Sequence, residues 1–245
     1  MRVAVIHKPY FFPWMGYFSK LSHAHAFIVQ DDVLASNRVW VNRTRIIRPT
    51  GKPGYVTLPI GKKGDTPICD IVLPATVREE SARRISKSIE HAYAKSRFFS
   101  QWRPLQALFA DIMAGHRRLL DIDMGIITVL LEHLQLPPLE IFLSSRLTHC
   151  GDWIDTLIAN CRETRCDALI LGTGNEDWTT EDTERLRRAQ IQPLTHDFYA
   201  VHPAYYQTRR ERLGFFPGLS ILDCILNEGY ERTTELLKSV PLVCG

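Results

Sequence analysis

Residues 1–32 constrain the fold of this chain more than any other stretch. A short apolar run of β type, Val3 to Ile6, ends at His7. A turn rich in aromatics and proline follows, from Pro9 through Phe11, Phe12, Pro13, Trp14 and Gly16 to Tyr17. A second apolar run, Ala26 to Val29, ends in the adjacent carboxylates Asp31 and Asp32. Two strands that end in polar groups, joined by a helix-length segment, predict the opening of an α/β sheet. In such sheets ligands lie beyond the carboxyl ends of the strands, and His7 and the Asp pair fall on that edge.

The rest of the chain supports this class. A β-rich region from Val39 to Leu73 is punctuated by the turns PTGKPG and GKKGD, and alternation in YVTLPI and ICDIVL predicts hairpin strands with one wet face. Apolar residues at helical spacing predict helices over residues 75–97 and 106–118. Residues 124–136 are apolar almost all round, which predicts a buried helix ended by Pro137-Pro138. Strand and helix then alternate: strands over 139–144, 168–171 and 191–195, helices over 153–164, 180–189, 219–226 and 230–238. The expected fold is a mainly parallel, Rossmann-like α/β sheet flanked by helices, with a β-hairpin excursion and a helical insertion. No linker marks a boundary, so one domain over 1–245 is expected, with 75–137 as a helical subdomain.

At 245 residues the chain is long enough for a full hydrophobic core. No apolar run reaches the roughly 18 to 20 residues of a membrane helix. The N-terminus has no cationic stretch and apolar segment of a secretion signal, so a cytoplasmic protein is expected. The net charge of +3 is mild, and with no zinc-finger spacing and no long basic helix nothing points to a nucleic-acid module. The six cysteines include no CxxC pair, and neither HExxH nor GxSxG is present. No metal site is expected.

Five constellations could carry chemistry. His7, at a strand end, suits an acid, a base or a phosphate ligand near neutral pH, or a packed residue under Trp14 and Tyr17. Asp31 and Asp32 suit orientation of a substrate amine, or a strand-end turn. In NRVWVNRTR, Arg38, Trp40 and Asn42 would share one face of a strand and Arg43 and Arg45 the other, a set of cations, ring and amide suited to an anionic sugar or phosphate. Gly172 and Gly174 follow an apolar strand and would let a backbone approach a ligand. In the C-terminal run, His202, Tyr206, Gln207, Ser220, Asp223 and Asn227 are polar, and the last three fall on one helical face. If that face is buried, its groups need protein or ligand partners.

Set together, the two ends of the chain carry a resemblance. HKPYFFPWMGYF, then DDV, then WVNR, with HPAYYQ and FFPGLSILDCILNEG near the end, is similar to the WbqC-like protein family. SSRLTHCGDWIDTLIANCRETRCDALILGTG is similar to that family's strand, helix and strand ending in a glycine turn. Lys8 stands where glutamine is usual, and Arg209 to Arg212 lengthen the gap between the two C-terminal motifs.

The resemblance implies a role in surface-polysaccharide or specialised-metabolite biosynthesis. The activity implied is a transferase or amide-forming enzyme, moving a glycyl, aminoacyl or acyl group to an amino sugar or related amine. The substrate would be an anionic small molecule such as a sugar or nucleotide sugar. The donor would be an activated acyl compound: a thioester, an acyl-adenylate or an aminoacyl-tRNA. The expected roles are His7, Asp31, Asp32 and His202 in catalysis. Pro9, Trp14, Tyr17, Arg38, Trp40, Asn42, Arg43, Arg45, Gly172, Gly174, Tyr206, Gln207, Ser220, Asp223 and Asn227 would bind substrate. Two other readings stand beside it: an ATP-using, nucleotidyl-transfer-like enzyme, and a non-catalytic sugar- or nucleotide-binding partner.

Overall fold

The computed structural model describes residues 1–35, 40–61, 65–172 and 178–244. The apolar runs read from the sequence become the strands of one sheet. These are β1 (Val3–His7), β2 (Ala26–Val29), β5 (Glu140–Leu143), β6 (Ala168–Gly172) and β7 (Gln192–His196), with a short β8 (Val243–Cys244). Their order is β5-β2-β1-β6-β7-β8. The first five run parallel, and β8 adds antiparallel to the β7 edge. β1, β2 and β6 are apolar on both faces because helices cover both.

Strand alternation sorts side chains into two cores. Val3, Val5, Phe27, Val29 and Ile170 face a large cluster shared with five helices. These are α1 (Met15–Ser22), the block α2 (Ala75–Tyr93), α3 (Trp102–Gly115) and α4 (Leu119–His133), and α7 (Ile221–Lys238). Ala4, Ala26, Ile28, Leu169 and Leu171 face the other way, onto α5 (Trp153–Glu163) and α6 (Thr180–Arg188). Capping boxes at Asp152 and Thr179 start those two helices. α7 breaks at Gly229, whose φ of 84° is left-handed, so the two C-terminal helices expected from the sequence are halves of one kinked element.

Between β2 and α2 lies the hairpin β3 (Arg43–Ile47) and β4 (Pro53–Thr57), paired antiparallel outside the main sheet. Two expectations need correction here. Residues 68–70 form a 3-10 turn rather than a hairpin strand, because Ile68 and Ile71 both turn into the core and leave no alternating face. Trp40, Val41 and Asn42 lie in a turn before β3, so Trp40 and Asn42 share no strand face. Val41 is buried, and Asn42 is held by Leu58 instead: Nδ2 donates to the Leu58 carbonyl at 2.9 Å and Leu58 N–H donates back at 2.7 Å.

The aromatic turn after β1 is fixed by distant parts of the chain. Phe11 and Phe12 are buried against Phe109 of α3. Phe12 holds a left-handed φ of 44°, a costly conformation for a bulky residue that surrounding contacts must impose. Those contacts are specific. The Phe12 carbonyl accepts from Thr44 Oγ1 at 2.8 Å and Ser220 Oγ at 3.1 Å. The Pro13 carbonyl accepts from Ile221 N–H at 2.8 Å, and Trp14 pairs antiparallel with Ser220. The N-terminal and C-terminal motifs thus meet as one backbone junction.

Candidate functional site

The chain leaves β1 toward β2 on one side and later returns with β6 on the other. This is a topological switch point, where the loops beyond the two strands diverge and leave a crevice. A cavity of about 520 Å³ occupies that edge. Three neighbouring strands end in its wall, β1 at His7, β6 at Gly172 and β7 at His196, the last two opposite each other in register.

His7 has one assigned nitrogen. Its Nδ1 lies 3.0 Å from the Lys8 carbonyl, which can only accept, so Nδ1 carries the proton and Nε2 keeps a lone pair. Tyr17 O–H donates to the same carbonyl at 3.2 Å. The imidazole stands edge-on to Tyr10 and Tyr17, with centroids 4.5 and 4.7 Å away. Burial pushes its pKa well below 6.5, and the Lys20 charge pushes it further down. His7 is therefore a neutral acceptor at neutral pH, the form a general base needs.

His196 is neutral for the same reasons, burial first and Lys20 second, with its pKa pulled down to about 4. Ser19 Oγ donates to the Leu237 carbonyl at 2.7 Å, so the 3.0 Å contact between His196 Nε2 and Ser19 Oγ is donated by the ring. Lys20 enters from the last turn of α1. A methyl group at Gly172 would stand 3.3 Å from Lys20 Nζ, so the glycine leaves room for the ammonium against the end of β6.

The remaining wall is apolar and mostly aromatic: Tyr10, Trp14, Trp40, Trp153, Trp178, Phe198 and Tyr199, with Ile6, Leu157, Leu169 and Ile170. Trp14 stacks on Tyr199 at 4.7 Å, and its indole lies across the start of α1. A methyl at Gly16 would fall 2.2 Å from that ring. Gly16 is needed for its small size and not for an unusual backbone angle. Lys8 and Gln30 complete the polar lining.

Of the residues expected at a site, His7, Trp14, Trp40 and Gly172 line this cavity, and Tyr17 supports His7 from behind. Arg38 and Gly174 lie outside the described residues. Pro9 is buried and absent from the lining.

The Asp pair is brought elsewhere. Asp31 accepts from Ser144 Oγ at 3.1 Å, Ser145 N–H at 3.0 Å and Ser145 Oγ at 2.7 Å. Asp32 accepts from Ser144 Oγ and pairs with His149 at 2.9 Å. These carboxylates tie the end of β2 to the turn after β5. Arg43 lies over Tyr55, its guanidinium 4.2 Å from the ring centre. Arg45 sits between the Trp40 and Phe216 rings and donates to the Gly218 carbonyl at 3.1 Å.

The C-terminal polar groups find protein partners, most of them inward and Tyr206 at the surface. His202 Nδ1 donates to the Pro203 carbonyl at 3.0 Å, and its Nε2 faces Gly218 N–H at 3.5 Å. Burial lowers its pKa. Gln207 exchanges two bonds of 2.8 Å with Phe216, and Tyr206 O–H donates to Glu211. Ser220 caps α7. Asp223 is fully buried and accepts from Tyr93 O–H at 2.8 Å and Tyr205 O–H at 2.9 Å. Desolvation still raises its pKa to about 6, against the lowering effect of those tyrosine bonds. Asn227 Oδ1 takes the Thr208 hydroxyl, and its Nδ2 donates to the Asp223 carbonyl at 2.7 Å.

Lys20, His196, Trp153, Trp178 and Tyr199 were not singled out from the sequence. A signal existed for one of them: Gly16 and Lys20 are four apart in a helix, hence on one face with the cavity beyond it. Among the described residues no group of three or more His, Cys, Asp or Glu could hold a metal ion, and no helix is long and apolar enough to cross a membrane.

A family model described as the WbqC-like protein family matches residues 8–235. A Mycobacterium tuberculosis (strain ATCC 25618 / H37Rv) protein, Uncharacterized protein Rv1507c, is 22% identical over 244 residues, covering 94% of this chain and 95% of that one. No solved structure matches significantly.

Proposed function

From the premise that the chain belongs to the WbqC-like protein family, we propose that it is a group-transfer enzyme whose site is the switch-point cavity. The reaction is transfer of an acyl or aminoacyl group from an activated donor to the amine of an anionic small molecule, such as an amino sugar or its nucleotide derivative. The biosynthetic setting is surface polysaccharide or specialised metabolite. The observation that carries this reading is His7: a neutral imidazole in the cavity wall, its tautomer set by the Lys8 carbonyl, with Nε2 left as the acceptor.

In this scheme the neutral amine attacks the acyl carbonyl. As the carbon–nitrogen bond forms, His7 Nε2 takes the amine proton and the donor's leaving group departs. Lys20 and Lys8 supply the positive field for a phosphate or for charge developing on the carbonyl oxygen. Asp31, Asp32 and His202 act at a distance, holding the strand ends and loops that frame the cavity. The ATP-using alternative draws support from the switch-point position, where open α/β sheets bind nucleotides.

The test is amide formation followed by mass spectrometry, with a nucleotide-linked amino sugar as acceptor and aminoacyl or acyl thioesters as donors. His7→Gln is expected to lower turnover about 10²- to 10⁴-fold, the usual range for a lost general base, while acceptor binding persists. Unchanged product formation by His7→Gln would remove His7 from the chemistry. Binding of acceptor with no turnover by any donor would favour a non-catalytic binding partner.

A further inference from the structure

We infer that the cavity is a nucleoside-phosphate site, with a nucleobase stacked on Trp153 at its mouth and phosphate oxygens held by Lys20 and Lys8. This rests on the reading of the switch-point cavity as the substrate site, and it names what that site recognises. The shared chemistry is a base, a ribose and one or more phosphates. ATP, an acyl-adenylate, coenzyme A thioesters and nucleotide sugars all contain it.

The first observation is where the tryptophans are. The chain has five, and four of them, Trp14, Trp40, Trp153 and Trp178, line this one cavity. Large indole surfaces are gathered at a polar sheet edge, although the chain has two extensive apolar cores in which they could be packed. Trp14 and Trp40 already have partners, Tyr199 on the one and the Arg45 guanidinium over the other. Trp153 differs. It is the first residue of α5, it is 45% exposed, and no aromatic ring among the described residues stacks on it. An indole so placed at a cavity rim is a stacking platform, and every nucleobase offers a π face.

The second observation is charge. Among the described lining residues there are two lysines and no carboxylate. Lys20 reaches far enough that its charge acts on both His7 and His196, and Gly172 leaves its ammonium space at the end of β6. A cavity with this sign repels a free ammonium compound and attracts an anion.

The third is the balance of donors and acceptors. A bare sugar would bring several hydroxyl donors, each needing an acceptor once buried. The described side chains of the wall offer few: His7 Nε2, the Gln30 amide oxygen and the Tyr10 and Tyr199 hydroxyls, while lysines only donate. A nucleoside phosphate reverses this demand. Its phosphate oxygens accept from the lysines, and its base stacks on a ring face with its polar edge toward the open mouth. A cavity of about 520 Å³ is within the size range of small-molecule sites.

Isothermal calorimetry and tryptophan fluorescence on the purified chain test the assignment, with ADP, UDP, adenosine, ribose 5-phosphate and pyrophosphate as probes. A saturable heat with ADP or UDP is expected, accompanied by a change in indole emission. Adenosine and ribose 5-phosphate should each bind at least about tenfold more weakly, since each lacks one of the two contacts. Lys20→Gln should weaken the nucleotide about tenfold or more and leave adenosine unchanged. Trp153→Ala, at a position 45% exposed, should weaken adenosine and nucleotide together by about five- to tenfold. A preference between ADP and UDP tells an adenylate or coenzyme A donor from a uridylyl sugar.

The inference is overturned if neither nucleotide binds, if ribose 5-phosphate binds as tightly as ADP, or if both substitutions leave nucleotide affinity unchanged. Its failure is separable from that of the transfer reaction: His7→Gln should lose turnover and keep ADP binding, whatever the donor proves to be.

Discussion

Ser220 Oγ donates to the carbonyl of Phe12 at 3.1 Å, joining the cap of the last helix to the one left-handed residue of the aromatic turn. The same hydroxyl oxygen accepts from Leu222 N–H at 3.3 Å. One side chain thus starts α7 and holds a strained backbone upstream of the cavity wall. Ser220→Ala removes both bonds. The expected loss is about 1–3 kcal/mol of unfolding free energy in urea, from a lost cap and a half-satisfied carbonyl. Thr44 Oγ1 keeps that carbonyl from being orphaned. Wild-type stability in Ser220→Ala would mean that Thr44 and the backbone bonds hold the junction without the Ser220 hydroxyl.

Gly16→Ala sets two effects against each other. Alanine favours a helix over glycine by about 0.5–1 kcal/mol. Against this, the new methyl falls 2.2 Å from the Trp14 ring, and relieving such a clash costs about 1–3 kcal/mol. The clash wins, so a net loss of stability is expected. The indole must also leave Tyr199, which should reduce the near-UV circular dichroism of the stacked pair. A stabilised Gly16→Ala protein with unchanged near-UV signal would refute the packing argument.

The neutral state of His7 predicts a pH profile. The active base is the unprotonated ring, so kcat/KM should rise as His7 loses its proton. Burial and then Lys20 depress its pKa well below 6.5, so the acid limb should be complete before pH 6.5 and the profile flat through it. Lys20→Gln removes one cause, and its limb should move to higher pH. A wild-type midpoint at or above 6.5 would rule out the proposed environment of His7.

Asp123, on α4, is fully buried, and neither carboxylate oxygen has a hydrogen-bond partner among the described residues. Desolvation raises its pKa well above 3.8. The native state therefore holds a proton that the unfolded chain releases first. The sign follows: the group's contribution is fully present below about pH 3.8 and is lost as pH rises through the raised native value. The stability difference between wild type and Asp123→Asn should shift against wild type as pH increases over that range. Denaturant midpoints of the two proteins at several pH values measure it, and a constant difference would show that Asp123 does not titrate.

Much of this architecture was legible in short local patterns. Val3 to His7, Ala26 to Val29 and Ala168 to Gly172 are apolar runs ending in polar or glycine residues, and such runs need only their own composition to be read. His7 and Gly172 were legible because they sit at those ends, and Trp14 because it lies in the aromatic turn that follows the first. What stayed hidden depends on partners far apart in the chain. Ser220, Asp223 and Asn227 share a helical face, but the spacing does not say that Phe12, Tyr93 and Thr208 will meet them. Asp31 and Asp32 likewise find Ser144, Ser145 and His149 across a strand pair formed late in the sequence. Lys20 carries no local mark of its own; only β6 and β7 bring Gly172 and His196 beside it.

The junction of Trp14 with Ser220 also orders events during synthesis. Phe12 leaves the ribosome 208 residues ahead of Ser220, one of the groups that lock it. Until residue 220 and the start of α7 emerge, Phe12 has no hydroxyl from that side and Pro13 no amide from Ile221. A nascent chain that already contains every strand from β1 to β7 still has an unfinished first turn. The backbone junction beside the cavity closes only when α7 docks against the aromatic turn.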